Sequence, residues 1–361
     1  MAVPHHRHRT SLEGVIFPPP RRLSPEEHDE ATKLFNSLIE HFEPLQASNK
    51  GYKPLTLLRL TKGGVSVGDE FLELFFTFIQ CDRLGVPETT LAETLASLRS
   101  FQGWTSEEQH ELSQSLVEFS YFLMDNFYLP LKSLAAKTPQ PTPAFLSRPD
   151  LSDPAIGTPQ RVSNLRKCCL TRDRHRCVVT RKFDVREAEA RYRIDGSNVR
   201  DDDGNSLLEE TGNTTFLEVA HIIPHSLMSH SDISGESKLV QLHQLFGNFE
   251  IAFESVPDQP HTYKIDYINT NRMFRPDNLP VTRPLFITPD RSVEPPSPQL
   301  LELHRVIGRI LHLSAAGEYI DKLVRDMEDM EAGGVCSDGS TRIDDYVRYR
   351  LTTEFHQMIV C

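Results

Sequence analysis

One tryptophan, six cysteines and an unfavourable balance for binding phosphate mark what this 361-residue chain lacks. The cysteines are few and scattered apart from Cys168 and Cys169, which excludes a disulfide scaffold and suits a reducing compartment. No apolar run approaches the ~20 residues that a membrane helix needs, so a spanning segment is not expected. The opening MAVPHHRHRT has no apolar core, which argues against a secretory signal. An intracellular protein, nuclear or cytoplasmic, is the expectation. Lys and Arg number 39 against 51 Asp and Glu, a net charge of −12. That balance excludes a generic DNA-coating protein, whose phosphate contacts require cations.

One window reverses the balance. Arg161 to Asp184 (RVSNLRKCCLTRDRHRCVVTRKFD) carries eight Lys or Arg and two Asp, a net of +6. Arg166, Lys167, Arg172, Arg174, Arg176, Arg181 and Lys182 are its candidate nucleic-acid contacts, the plain alternative being a solvated basic face.

Residues 1–22 read as a loose tail. Ser24-Pro25-Glu26-Glu27 is a capping box with proline at the first helical position. Leu34, Phe35, Leu38, Ile39 and Phe42 follow at helical spacing until Pro44. Thr105 and Glu108 form a second box ahead of Leu112, Leu116, Phe119 and Leu123, and FLELFFTFIQ suits another buried helix. Residues 23–135 are therefore expected to form a helical domain without a chemical site. Residues 136–160 contain six prolines and few large apolar side chains, which reads as a linker.

The second domain, expected over 161–330, reads as mixed α and β, making the whole an α+β chain; 331–361 is taken as a tail. Cys177–Thr180 and Thr215–Ala220 are strand candidates, separated by the acidic stretch DDDGNSLLEE. Residues 236–246 suit a helix ending at Gly247. FEIAFESV and HTYKIDY flank a turn at Pro257–Pro260 and read as a hairpin whose wet face includes Glu250 and Glu254. Ser297-Pro298 opens a helix with Leu300, Leu303, Val306, Ile307 and Ile310, and Glu318–Met330 reads as an acidic helix. Cys168, Cys169 and Cys177 are read as buried packing thiols.

His221, His225 and His230 lie within ten residues, and His243 follows on the expected helix. A strand-end imidazole facing a helical one can hold a divalent metal while one of them activates water. The commoner fate of such histidines is a satisfied structural role.

The phrases TPQRVSNLRKCCLTRDRHRCVVTRKFD, LEVAHIIPHSL, LHQLFGNFEIAFE, HTYKID, LPVTRPLF and LLELHRVIGRILHLSAAGEYIDK resemble the HNH nuclease domain of a group of fungal proteins. The resemblance runs from about Thr138 to Leu323, roughly half the chain. It implies a ββα-metal fold with an extra hairpin and C-terminal helices behind the helical domain. It also implies cleavage of phosphodiester bonds, with DNA favoured over RNA as substrate. His221 matches the first histidine, the general base. His243 matches the last, a ligand of a divalent metal (Mg²⁺, Mn²⁺ or Zn²⁺) that stabilises phosphorane charge. The basic window would hold the backbone.

Two positions depart from that pattern. Ala220 stands where many of these domains carry a ligand, leaving His225 or Glu218 as the further metal donor. No asparagine lies between His221 and His243, where the family has one that orients the base. A non-catalytic module of the same fold, binding nucleic acid or protein, is the competing expectation.

Overall fold

The computed structural model describes residues 23–46, 51–64, 68–84, 90–135, 159–210, 212–223, 241–269, 279–288 and 293–333. The chain divides into two compact units, residues 1–133 with 309–361, and residues 134–308. Among the described residues no helix is long and apolar enough to cross a membrane.

The first unit is helical: α1 (Pro25–Phe42), α2 (Pro54–Gly64), α3 (Gly68–Leu84), α4 (Leu91–Leu98), α5 (Ser106–Leu123) and α6 (Leu129–Ala135), which begins at the unit's edge. Three of these start in the same way. Ser24, Thr90 and Thr105 each accept from the backbone three residues on, and Glu27, Glu93 and Glu108 return the bond to the cap's own N–H. The buried stripe of α1 comprises Ala31, Leu34, Phe35, Leu38, Ile39 and Phe42. Phe35 meets Phe75 edge-on at 4.9 Å, and Phe75 meets Phe119 at 5.3 Å, so aromatic contacts join α1, α3 and α5.

The C-terminal helix α11 (Ala316–Gly333) belongs to this unit, whereas the sequence reading keeps residues through 330 in the second domain. Tyr319 packs against Tyr52 with centroids 5.2 Å apart, and Asp321 takes the ammonium of the buried Lys132. The acidic composition of α11 conceals an apolar stripe, Tyr319, Ile320, Leu323 and Met327, which is buried.

The second unit is mixed, as an α+β chain requires. It holds α7 (Pro159–Arg172), β1 (Phe183–Asp184), α8 (Val185–Asp195), β2 (Thr214–Thr215), α9 (Gln241–Gly247), β3 (Ile251–Ser255), β4 (Thr262–Tyr267), β5 (Val281–Pro284) and the first part of α10 (Pro298–Leu313). The hairpin is antiparallel, with Ile251 opposite Tyr267 and Phe253 opposite Ile265, and β5 adds to its free edge. Ile251, Phe253, Tyr263, Ile265 and Tyr267 share a core with Leu245 and Phe246 of α9 and Leu301 of α10. The expected linker lies outside the described residues except Pro159 and Gln160, which begin α7.

Several local expectations are corrected. Residues 177–180 form a turn instead of a strand. Arg181 adopts φ 63° and its N–H returns to the Cys177 carbonyl at 2.9 Å, reversing the chain. The second candidate strand stops at Thr215. Beyond it, side chains satisfy the backbone: Leu217 N–H donates to Asp184, and Arg166 donates to the Leu217 carbonyl at 2.9 Å. β1 and β2 pair in parallel over two residues each.

On α10 the buried face is Leu301, His304, Ile307, Ile310 and Leu311, while Leu300 and Leu303 are exposed. Ile307 and Ile310 are buried as expected, but in the first turns Leu301 and His304 take the core positions in place of Leu300 and Leu303. His304 stacks on Phe246 (4.0 Å) and Phe249 (4.5 Å) and shares a 2.9 Å hydrogen bond with the Phe246 carbonyl through Nε2. Of the cysteines expected to be buried, Cys168 is exposed, Cys169 is half-buried, and Cys177 is half-buried against the hairpin core.

Candidate functional site

The site is built on the core of the second unit. Ala220 and Ile222, which flank His221, pack against that core, and so does Leu242, which precedes His243. One hydrophobic cluster thus anchors both backbone segments that carry the histidines. His221 is half-buried and lies past the end of β2 in irregular backbone. His243 lies in the first turn of α9, and its Nδ1 is 3.0 Å from Glu218 Oε2, with both side chains largely enclosed.

This contact decides how His243 can act. An ionised carboxylate only accepts, so Nδ1 carries the proton and donates to Glu218. In the neutral ring this tautomer leaves the lone pair on Nε2, the state in which an imidazole binds a metal. Glu218 is consequently the group that orients His243, and its second oxygen remains a hard donor. An imidazole and a carboxylate fit part of a divalent-metal site. Among the described residues, no three His, Cys, Asp or Glu side chains come together as such a site. His225, the other metal candidate, lies outside the described residues.

The basic window does not form one face. Arg172 is buried and makes two 2.8 Å hydrogen bonds to Asp173, with a further one to the Glu294 carbonyl. Arg176 donates to Asp201 at 2.7 Å and to both oxygens of Glu210, with 11% of its side chain exposed. Arg174 pairs with Asp203, and Arg166 is 3.9 Å from Asp184. The acidic stretch 201–210 thus takes Arg174 and Arg176, while Arg172 and Arg166 lie against Asp173 and Asp184 of the basic stretch itself. Two carboxyls of the acidic stretch show the effect. Burial opposes ionisation of Asp201, yet hydrogen bonds from Arg176 and Asn205 outweigh it and hold the carboxyl at about 2. Asp202 is likewise lowered against its burial, by Arg191 and His175.

A phosphate contact needs a guanidinium that can leave its present partner. Arg172 and Arg176 therefore serve the fold, contrary to the role expected of them. Lys167 is exposed and Lys182 is half-buried. Arg181 reaches the Pro284 carbonyl and lies 4.4 Å from the centre of the Phe286 ring. Arg283 of β5, outside the window, donates to the Val179 carbonyl at 2.9 Å. A charge count over contiguous residues could not reveal Arg283, because β5 joins the turn 177–182 only through the fold.

Comparison of the chain with protein-family models, with curated proteins and with solved structures gives no match.

Proposed function

We propose that the second unit is an HNH-type, metal-dependent endonuclease domain that hydrolyses phosphodiester bonds of nucleic acid, DNA in preference to RNA. The observation that carries this reading is the Glu218–His243 pair at 3.0 Å, beside the segment that bears His221. His221 is the base that accepts a proton from the attacking water, a task for a group titrating near neutrality. His243 offers Nε2 to a divalent ion, and Glu218 fixes its tautomer and ring orientation. When bound, that ion supplies charge stabilisation for the pentacovalent phosphorus and the leaving oxygen. The ββα-metal architecture is part of the proposal.

The absence of an asparagine between His221 and His243 favours a second reading, a non-catalytic module that keeps the fold. Its cost to an enzyme is a base held less firmly, and about 1 Å of misplacement can lower a rate on the order of a hundredfold. Nicking of supercoiled plasmid with Mg²⁺, Mn²⁺ or Zn²⁺ separates the two. The nuclease reading expects slow, chelator-sensitive nicking that falls at least ~100-fold in His221→Ala and is also lost in His243→Ala. Nicking that survives both substitutions refutes the site. No nicking with any of the three metals leaves the binding module.

A further inference from the structure

The arginines around the turn 177–182 differ in their partners. Arg172, Arg174, Arg176 and Arg191 each hold at least one carboxylate. Arg181 and Arg283 hold none within ion-pair distance among the described residues; their acceptors are backbone carbonyls. The two cross-lace a pair of segments, since Arg181 reaches from the turn to Pro284 and Arg283 reaches from β5 back to Val179. Phe286 lies beside them, its ring centre 4.4 Å from the Arg181 guanidinium carbon and 5.0 Å from that of Arg174.

This arrangement leaves charge uncompensated. Burial depresses the Arg181 guanidinium, and the neighbouring positive charge of Arg283 pushes the same way. Asp173 pulls back, but both its oxygens already accept from Arg172 at 2.8 Å. Arg181 Nη1 is closed from water and has no acceptor among the described residues, and the terminal nitrogens of Arg283 hold none there either. Two half-buried cations side by side repel one another, a cost that an anion meeting the terminal nitrogens of Arg283, which are not sealed from solvent, would recover. Carbonyl contacts and ring packing alone would not require two permanent charges.

We propose that Arg181 and Arg283, seated beside Phe286, form a binding site for a phosphate group. Guanidinium forks match the spacing of phosphate oxygens, and the aromatic ring holds the Arg181 fork in plane. The phosphate is either a diester of a nucleic-acid backbone, an identity that rests on the nuclease reading above, or a free phosphate. As a backbone contact the site would position nucleic acid without reading its sequence.

The test uses the full chain in chelator, so that binding is read without cleavage. Fluorescence anisotropy follows a labelled DNA duplex, and inorganic phosphate serves as competitor and as a separate calorimetric ligand. Arg283→Gln should weaken duplex binding about ten- to a hundredfold and reduce the slope of log affinity against log salt by about one. Arg283→Lys should recover part of the loss. Arg305→Gln, whose guanidinium is paired with Glu302 and Glu254, should leave binding unchanged. Arg181→Gln should match Arg283→Gln; circular dichroism identifies folded variants, and Arg283→Gln decides the matter if Arg181→Gln does not fold. Calorimetric phosphate binding that is lost in Arg283→Gln, without any duplex binding, supports the site and assigns it to a free phosphate. A folded Arg283→Gln that binds phosphate and duplex like the parent overturns the proposal. If nicking is absent while Arg283-dependent binding persists, only the nuclease reading fails.

Discussion

The first unit closes around rings such as Phe35, Phe75 and Phe119, whereas the second closes around a smaller apolar cluster and a set of buried charges. In the helical unit the capping boxes are exposed, and the one buried cation among the described residues, Lys132, has a half-exposed partner in Asp321. In the second unit Arg172, Asp173, Asp184, Asp201 and His304 are all largely withdrawn from water. Burial of a ring is repaid by contact area alone, but burial of a charge is repaid only if every partner is in place. The second unit should therefore tolerate less change at polar positions and respond more strongly to acid. Within it the same contrast recurs on a smaller scale, between arginines that found carboxylates and the half-buried pair Arg181 and Arg283, whose acceptors are backbone carbonyls.

The largest break in that comparison should come from Arg176→Ala. It removes the cation shared by the buried Asp201, which keeps its bonds from Asn205 and Asp203, and by the Glu210 carboxylate, and a loss of about 3 kcal/mol is expected in urea unfolding. A loss below ~1 kcal/mol would mean that the pairs are no stronger than surface ones.

Acid should come next, through His304. Its folded pKa lies near 4, lowered chiefly by burial, against an ordinary value of 6.5. The unfolded chain therefore takes up a proton that the folded chain refuses. Stability is full above about pH 6.5 and falls by up to ~3 kcal/mol as pH drops to about 4. Asp201 contributes in a lower window: its depressed carboxyl stabilises the fold above about 4, and that contribution fades as pH falls toward about 2. Thermal melts of His304→Phe, which keeps an aromatic plate between Phe246 and Phe249, should lose the upper window and keep the lower. An unchanged profile would remove His304 as its source.

The smallest effect belongs to the helical unit. Thr105→Ala deletes one cap and should cost about 1 kcal/mol, with no added acid sensitivity between pH 6.5 and 4. A cost several times larger would show that the cap of α5 does more than start a helix.

Legibility followed the range of the forces. The capping boxes, the α1 stripe and the β3–β4 hairpin were readable because each is set by residues a few positions apart. The first half of the buried face of α10 was misread, though Ile307 and Ile310 were not, since His304 does not look like core until two phenylalanines close on it. The strand expected at Thr215–Ala220 failed because Asp184 and Arg166, distant in sequence, satisfy that backbone. For the candidate site, the two histidines stood out by type and spacing, while Glu218 was expected only as an alternative to His225 for a further metal donor, not as the partner of His243. Its choice depends on α9 folding back to bring His243 within 3.0 Å.

By itself the sequence determined an α+β chain with a helical first part, the hairpin and the histidine pair, since local propensity and period decide these. Tertiary structure alone decided which charges cancel. Coulombic pairing depends on distance through space, so within the basic run Arg174 and Arg176 found Asp203, Asp201 and Glu210, while Arg172 took its neighbour Asp173. The same folding set Arg181 beside Arg283, far apart in the chain, with no carboxylate at ion-pair distance from either among the described residues.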